Sequence, residues 1–176
     1  MFNLQPTLES EFIRIEPLQL SDFERLFKVA SDPLIWEQHP NKDRYKREVF
    51  ETFFKGAIES GGAFLVFDNK TNEVIGSSRF YDFDAEHNQV LIGYTFFARS
   101  RWGSIYNLAL KSLMINHAFQ FVNSMVFHVG AGNIRSQKAI EKLGAMKVGE
   151  LEVEYYGESV KLNFVYEIKK EDWVAK

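Results

Sequence analysis

The sequence predicts one α+β domain over residues 1–176, in which a mixed sheet of about seven strands carries helices on both faces. Segments with period-two alternation and segments with helical spacing of apolar residues follow one another in the order β-α-α-β-β-β-α-β-α-β-β. The length of 176 residues is that of one ordinary domain. With 45% hydrophobic and 26% charged residues, the composition is typical of a globular chain rather than a disordered one.

The first half of the chain is predicted to contain one strand, two helices and an antiparallel meander. Ser21 and Glu24 have the spacing of a capping box at the start of the first helix, which Asp32-Pro33 ends. An apolar stripe at helical spacing marks the second helix, which ends at Gly61-Gly62. The predicted strands of this half lie at residues 12–16, 63–67, 74–81 and 89–96.

The second half is predicted to alternate strands with helices. A helix that is apolar on most faces runs from about residue 104 to about residue 122, so we expect it to be buried between layers. Asn133 is placed to cap a further helix that ends at Leu143-Gly144. The remaining predicted strands are 125–129, 146–156 and 161–168. A helical crossover should make strands 89–96 and 125–129 parallel neighbours.

The composition excludes several classes of function. The chain has no cysteine, which removes disulfides, cysteine-ligated zinc, iron–sulfur clusters and thiol nucleophiles. Its four histidines are scattered, so we predict no metal site. A formal net charge of −3 argues against nucleic acid as a partner. We find no secretory signal and no run of about 18 apolar residues, and we therefore expect a cytoplasmic protein without a membrane partner.

The segment from Arg99 to Asn107, which opens the long helix, has the features of an anion site. A helix N-terminus presents unpaired N–H groups and a partial positive charge, and Gly103 allows backbone to approach an anion closely. Arg99 and Arg101 add charge at the same place. Alternatively, Gly103 only permits a tight turn and the arginines are solvated; the loop alone leaves both interpretations open.

Three segments together resemble a known family. They are Leu91-Ile92-Gly93-Tyr94-Thr95-Phe96, Trp102-Gly103-Ser104-Ile105-Tyr106-Asn107 and the run from Asn133 to Ala145. In these segments the chain resembles the GNAT superfamily of acetyl-CoA-dependent N-acetyltransferases. It is most similar to the branch of the ribosomal-protein N-terminal acetyltransferases and their uncharacterised bacterial relatives. The resemblance covers nearly the whole chain, and the order of elements agrees with the family's fold.

The resemblance implies a cofactor site. Strands 89–96 and 125–129 would splay apart, with the pantetheine arm of acetyl-CoA in the gap. Backbone groups of Thr95, Phe96 and Phe97 would bind that arm and polarise the thioester. Asn133 and Ser136 would lie near the pantetheine and the sulfur. The pyrophosphate would be held by the loop of Arg101, Trp102, Gly103, Ser104, Ile105 and Tyr106.

The resemblance also implies catalytic roles for Ser136 and Glu154. Ser136 would stabilise or protonate the leaving thiolate, and Glu154 matches by position a carboxylate proposed as general base. Two residues depart from the family's pattern. Ile105 replaces the second glycine of the loop, and Ile140 stands where many members have a tyrosine acid.

Acetyl transfer needs a neutral amine, a polarised carbonyl and a stabilised thiolate, and it needs no covalent enzyme intermediate. The candidate bases are Glu154, Glu152 and His128, although His128 fits a hydrogen-bonded core histidine better. Trp36 and Tyr94 are candidates for the acceptor pocket, with core packing as the alternative for Tyr94. An α-amine, with a pKa of about 7.7–8.0, would need less help from a base than a lysine amine.

Three functions agree with the sequence. The first is an N-acetyltransferase that takes acetyl-CoA and a primary amine, either a protein N-terminus or a small molecule. The second is a GNAT-fold module that binds CoA or a protein with little or no turnover, as Ile105 and Ile140 would allow. The third, based only on the anion site, is an enzyme for another nucleotide. The acceptor, the pathway and the oligomeric state, including a homodimer, stay open.

Overall fold

The chain folds around one eight-stranded sheet with the strand order β1-β2-β3-β4-β5-β6-β8-β7. The computed structural model describes residues 1–155 and 157–173. Within these residues the four α-helices are α1 (Phe23–Ala30), α2 (Arg47–Glu59), α3 (Ile105–Ala118) and α4 (Ile134–Glu141). The strands are β1 (Leu8–Glu9), β2 (Ile13–Pro17), β3 (Ala63–Asp68), β4 (Val74–Asp84), β5 (Gln89–Phe97), β6 (Ser124–Gly130), β7 (Met146–Val153) and β8 (Lys161–Lys169).

The sheet is mixed, as the sequence predicts. Every ladder is antiparallel except the one between β5 and β6, which is parallel and is crossed by α3. The prediction of about seven strands misses β1, because a two-residue strand is too short to show alternation. β1 adds the outermost ladder, in which Leu8 pairs with Ile15.

Two hydrophobic clusters cover the two faces of the sheet, which confirms helices on both sides. α3 and the end of α4 pack on one face, where Leu110, Met114 and Ile140 belong to the larger cluster. α1 and α2 pack on the other face, where Leu26 and Phe50 belong to an aromatic-rich cluster. The face that carries α3 and the face that carries α2 are therefore separated by the sheet, and a gap between strands would connect them.

The start of α1 differs from the prediction. The reciprocal bond forms two residues earlier: the Gln19 backbone N–H donates to Asp22 Oδ2 at 2.8 Å, across a short 3₁₀ turn over Leu20–Asp22. Glu24 instead pairs with Arg47 of α2, with 2.8 Å from Nη1 to Oε1. The Ser21–Glu24 capping box is therefore wrong, because a second Asx-type acceptor at position 22 competes for the same helix start.

Two predicted elements end earlier than expected. α3 stops at Ala118, because the Gln120 and Phe121 N–H groups bond three residues back, to His117 and Ala118, in a turn that precedes β6. β7 stops at Val153 rather than at 156, and Tyr156 lies outside the described residues. α3 is the longest helix at 14 residues, and no helix in the described part of the chain has the length and apolar character needed to cross a membrane.

A glycine in β4 tests the fit between β4 and β5. A Cβ on Gly76 would lie 2.2 Å from the carbonyl oxygen of Phe96, so Gly76→Ala should force the two strands apart and lower the free energy of unfolding by about 2 kcal/mol. Gly149→Ala in β7 is the matched control, because its Cβ would meet nothing within 4 Å. We expect it to be neutral or slightly stabilising. Urea unfolding of both variants measures the difference; equal stabilities would contradict the tight contact.

Candidate functional site

The parallel pair β5–β6 is joined only at its beginning. The ladder contains Gln89↔Ser124, Val90↔Met125 and Leu91↔Val126, and none of the later residues of these two fully described strands is paired across it. β5 continues to Phe97 and β6 to Gly130, and β6 stays paired with β8 along its whole length. The two strands therefore diverge beyond Leu91 and Val126, which confirms the predicted splay.

A β-bulge in β5 accompanies the splay. Arg79 pairs with Gly93 and Ser77 with Phe96, so two residues of β5, Tyr94 and Thr95, oppose one residue of β4. Tyr94 has φ +53°, a left-handed conformation that is uncommon for a residue with a side chain. Such a bulge bends a strand and re-aims its side chains. Here it turns the second half of β5 away from β6.

Backbone groups at the end of β5 face the gap. The Ala98 N–H donates to the Ile75 carbonyl oxygen in β4 at 2.8 Å, so the alternation of a ladder turns the groups of Phe97 toward the opposite side. The Phe97 carbonyl oxygen accepts a bond of 3.0 Å from Trp102 Nε1. Of the three residues expected to bind pantetheine, Phe97 is thus the one whose carbonyl oxygen already has a partner in the following loop.

The loop after β5 leads into an uncapped helix start. Gly103 has φ +66°, and a Cβ there would meet nothing within 4 Å, so the space above the loop is open. α3 begins at Ile105, and its N-cap residue Ser104 gives no side-chain bond to the first turn, because its hydroxyl donates to the Arg101 carbonyl oxygen at 2.6 Å. Ile105 is 40% exposed and belongs to neither hydrophobic cluster. The first N–H groups of α3 thus have no side-chain acceptor from the N-cap.

The arginines of this loop are paired with carboxylates. Arg99 forms an ion pair with Asp32, and Arg101 Nη2 lies 2.9 Å from Oδ2 of the buried Asp68. The Tyr106 hydroxyl donates to the same oxygen at 2.8 Å. Burial by itself raises the pKa of Asp68, but the Lys70 N–H, the Tyr106 hydroxyl and Arg101 together bring it below its ordinary value. Neither arginine is therefore an unpaired cation: each forms an ion pair with a carboxylate of the protein.

The start of α4 lies at the end of β6, on the other side of the splay. Asn133 is the N-cap and its Oδ1 accepts from the Ser136 N–H at 3.2 Å, as the sequence predicts. The half-buried Ser136 hydroxyl has no hydrogen-bond partner within residues 1–155 and 157–173. Arg135 stacks on Trp102 with 3.9 Å from Cζ to the ring centroid, which links the two walls of the splay. Ile140 is buried in the core and offers no acid.

Lys111 is a feature of the site that the sequence reasoning missed. It lies in α3, is 3% exposed, and its Nζ donates to Thr95 Oγ1 at 2.6 Å. Burial lowers the pKa of Lys111 to about 7. A signal was available, because Lys111 is the one charged residue between Arg101 and Arg135 and stands within a largely apolar helix.

Aromatic side chains surround Tyr94 on the face opposite α3. The Arg79 guanidinium lies 3.8 Å from the Tyr94 ring centroid, and the Tyr155 ring lies 5.4 Å from it. Burial raises the pKa of Tyr94 and lowers that of Arg79 to about 10. Trp36 is buried in the core and does not line a pocket surface, since it is 2% exposed and its Nε1 donates to the Ala30 carbonyl oxygen at 2.7 Å.

The segment after β7 covers this aromatic region. Glu158 forms an ion pair with the buried Arg44 of the α1–α2 connection, and the Tyr155 hydroxyl donates to Asn163 Oδ1 at 3.0 Å. Glu154 is exposed and lies next to Tyr155, whereas Glu152 is exposed on β7 itself. Of these two carboxylates, Glu154 is the one beside a residue that contacts Tyr94.

His128 differs from the hydrogen-bonded core histidine that the sequence favours. Its Nδ1 is buried with no hydrogen-bond partner among the described residues, and the side chain lines a cavity of about 700 Å³ together with Leu91 and Val126, the last paired residues of β5 and β6. Burial lowers the pKa of His128, and Asp82 partly opposes this. No group of three or more candidate ligands for a metal ion occurs among the residues that the structure describes.

The comparisons with known proteins agree with this geometry. A family model described as an acetyltransferase (GNAT) domain matches residues 13–146. No curated protein is significantly similar to the chain in sequence. The structure is similar to a crystal structure from T. thermophilus described as an acetyltransferase, with 26% identity, a TM-score of 0.81, and coverage of 98% of this chain and 94% of the other.

Two further solved structures share the fold at lower identity. Mycobacterium smegmatis RimJ, in complex with CoA-disulfide, has 16% identity and a TM-score of 0.70, with 91% of this chain and 83% of the other covered. Spermidine N-acetyltransferase from Vibrio cholerae, in complex with CoA and spermine, has 14% identity and a TM-score of 0.69, with 93% and 98% covered.

The buried amine of Lys111 gives a prediction for stability against pH. An unfolded lysine has a pKa of about 10.4, and the folded value is about 7. Between these values the unfolded chain binds more protons, so the stability of the wild type rises with pH. Lys111→Met removes the site. We expect the variant to be more stable than the wild type at pH 7, with the difference shrinking by up to about 1.4 kcal/mol per pH unit toward pH 10.

Urea unfolding of both proteins between pH 6 and pH 10 checks this expectation. Taking the difference at each pH cancels the contribution of every other titrating group that the two proteins share. A difference that stays constant over this range would show that Lys111 titrates normally in the folded chain.

Proposed function

Since this chain belongs to the GNAT acetyltransferase family, it is an acetyltransferase, and we propose that it moves an acetyl group from acetyl-CoA to a primary amine by direct attack. The observation that carries the proposal is the β5–β6 ladder that stops at Leu91 and Val126 beside the uncapped start of α3. Acetyl-CoA supplies the activated acyl group, as a cosubstrate. The acceptor is a protein N-terminus or a small-molecule amine.

The residues at the splay fit a molecule with a diphosphate and an extended amide-bearing arm. Open space at Gly103 and N–H groups without an N-cap acceptor suit a diphosphate, which helix N-termini bind through backbone and dipole. Because Arg101 is neutralised by Asp68, this binding depends on the backbone more than on side-chain charge. The complexes of the M. smegmatis and V. cholerae proteins contain a CoA-disulfide and CoA respectively, which supports CoA as the ligand.

The proposed binding groups lie on both walls of the splay. β5 contributes the backbone of Thr95, Phe96 and Phe97, which would bind the arm and polarise the thioester carbonyl. The Phe97 carbonyl oxygen accepts one hydrogen bond from the Trp102 indole, and its second lone pair could accept from an amide N–H of the arm. Asn133 and Ser136 stand on the opposite wall. The pyrophosphate would be bound by Arg101, Trp102, Gly103, Ser104, Ile105 and Tyr106.

The transfer itself is a nucleophilic substitution at the thioester carbonyl. The amine nitrogen forms a bond to the acetyl carbon, the carbon–sulfur bond breaks, and the sulfur keeps the electron pair. Glu154 would take the proton from the amine, directly or through water, and the Ser136 hydroxyl would donate to the leaving thiolate. The position of Ser136 in the first turn of α4 supports the second role, because the partial positive charge of a helix N-terminus also favours an anion there.

The finer assignments are part of the same proposal. We place the chain in the branch of the ribosomal-protein N-terminal acetyltransferases, as a single GNAT domain in the cytoplasm, with Tyr94 rather than Trp36 in contact with the acceptor.

A panel of peptides with free N-termini and of small amines, with mass-spectrometric detection of the acetylated product, tests which acceptor is used. If the protein binds acetyl-CoA tightly but no amine of the panel leads to release of CoA, the result would favour the alternative of a CoA-binding module without turnover.

Gly103→Asp tests the diphosphate site. An added carboxylate about 4 Å from a phosphate costs a few kcal/mol at an effective dielectric of about 20, so we expect acetyl-CoA affinity to fall by about 100-fold or more. Gly61→Asp is the matched control, because Gly61 has nearly the same φ of +61° and equally open surroundings at the end of α2. Calorimetric titration compares the two. Equal affinities in both variants would place the diphosphate elsewhere.

Ser136→Ala and Glu154→Gln test the proton transfers. Each should lower kcat by about 100-fold with little change in acetyl-CoA affinity, because general acid–base groups act mainly in the transition state. Ser31→Ala, at an exposed position after α1, serves as the control for serine removal. Steady-state kinetics with the best amine of the panel provides the values. A Glu154→Gln variant with wild-type kcat would contradict its role as the base and leave Glu152 and His128 as the candidates.

A further inference from the structure

Lys111 reaches from α3 to the point at which β5 and β6 separate. Its Nζ lies 2.6 Å from Thr95 Oγ1 on β5 and 6.0 Å from the ring centroid of Phe127, the first residue of β6 beyond the paired part. The amine is therefore at the splay, on the face that carries α3. Within the described residues Thr95 Oγ1 is its one hydrogen-bond partner, and no carboxylate forms an ion pair with it.

Burial of the Lys111 amine at this position lowers the stability of the folded chain. A buried ammonium group has three protons to satisfy and here finds one acceptor in the described part of the chain, so burial favours the neutral amine and lowers the pKa of Lys111 to about 7. A leucine or methionine would fill the same volume without this cost. The cost is explained if the amine acts on the residue that it contacts.

The contact is with one of the two residues of the bulge. Thr95 Oγ1 accepts from Lys111 and lies 2.8 Å from Ser78 Oγ in β4, where either hydroxyl can be the donor, and 3.5 Å from the Gly93 carbonyl oxygen. On the opposite face, the other bulge residue, Tyr94, has its ring 3.8 Å from the Arg79 guanidinium. Two basic side chains thus hold consecutive bulge residues from opposite faces of the sheet.

We propose that Lys111 is a positioning residue: its bond to Thr95 fixes the β5 bulge, and through the bulge it sets the backbone groups of β5 that polarise the thioester carbonyl. The proposal rests on the acetyltransferase function proposed above, because it assigns the bulge to the acyl end of acetyl-CoA. Lys111 is given no contact with the reacting atoms. Its effect should be larger for ligands that carry the acetyl group than for CoA itself.

The first experiment measures the preference for acetyl-CoA over CoA by calorimetric titration in the wild type, Lys111→Met, Thr95→Val and the double variant. We expect the wild type to prefer acetyl-CoA, and each single variant to lose most of that preference, about fivefold or more, when its acetyl-CoA affinity is divided by its own CoA affinity. If Lys111 acts through Thr95, the double variant should lose no more than either single variant. Lys169→Met, at an exposed lysine at the end of β8, controls for loss of a cation.

The second experiment needs no turnover and no ligand. Hydrogen–deuterium exchange of residues 93–97 should become faster in Lys111→Met and in Thr95→Val, but not in Lys169→Met, while exchange in β3 stays unchanged.

A third experiment measures kinetics with the best amine. These should show a fall in kcat without a matching rise in KM for the amine. If Lys111 had only a structural role in the core, its replacement would change the melting temperature without lowering kcat selectively relative to KM.

The outcomes separate the two proposals. Failure of the wild type to bind either CoA form would overturn the proposed function, and the exchange data would still decide whether Lys111 holds the bulge. An unchanged preference in Lys111→Met, additive effects in the double variant, or unchanged exchange at residues 93–97 would each overturn the positioning role.

Discussion

The feature on which the rest of this structure depends is the early end of the β5–β6 ladder. Backbone N–H and C=O groups are obligatory hydrogen-bonding groups, and leaving them unpaired in a protein interior is unfavourable. Here the ladder stops after three pairs although both strands continue. The bulge at Tyr94 makes this geometry stable by bending β5, and β8 keeps β6 in place by pairing along its whole length. The opening is therefore bordered by a paired ladder on each side.

Charge is distributed unevenly around that opening. The arginines at the entrance are neutralised, Arg99 by Asp32 and Arg101 by Asp68, so the entrance offers mainly backbone N–H groups and helix dipoles. Deeper in the splay, Lys111 has no carboxylate partner among the described residues, and burial lowers the pKa of its amine to about 7, so that its charge changes around neutral pH. The two arginines thus stay paired with carboxylates of the protein, whereas Lys111, whose charge depends on pH near neutrality, lies beside the bulge.

The order of elements could be predicted from the sequence because each element has a local signal. The alternating strands, the apolar helix α3 and the Asn133 cap all depend on residues a few positions apart. The splay, too, followed from local motifs once their resemblance to the acetyltransferase family was seen. The errors also have local causes. β1 is too short to show a period, and Asp22 competes with Ser21 for the start of α1.

The sequence by itself determined which segments form strands and helices, where the loop glycine stands, and which family the motifs resemble. Only the tertiary structure decided how the charged groups are used, because each partner is distant along the chain. Asp68 takes the charge of Arg101, Glu158 takes that of Arg44, and α3 brings Lys111 to Thr95. It also placed His128 beside a cavity and buried Trp36 in the core. Electrostatic environment depends on burial and on neighbours in space, and neither can be read from residue spacing.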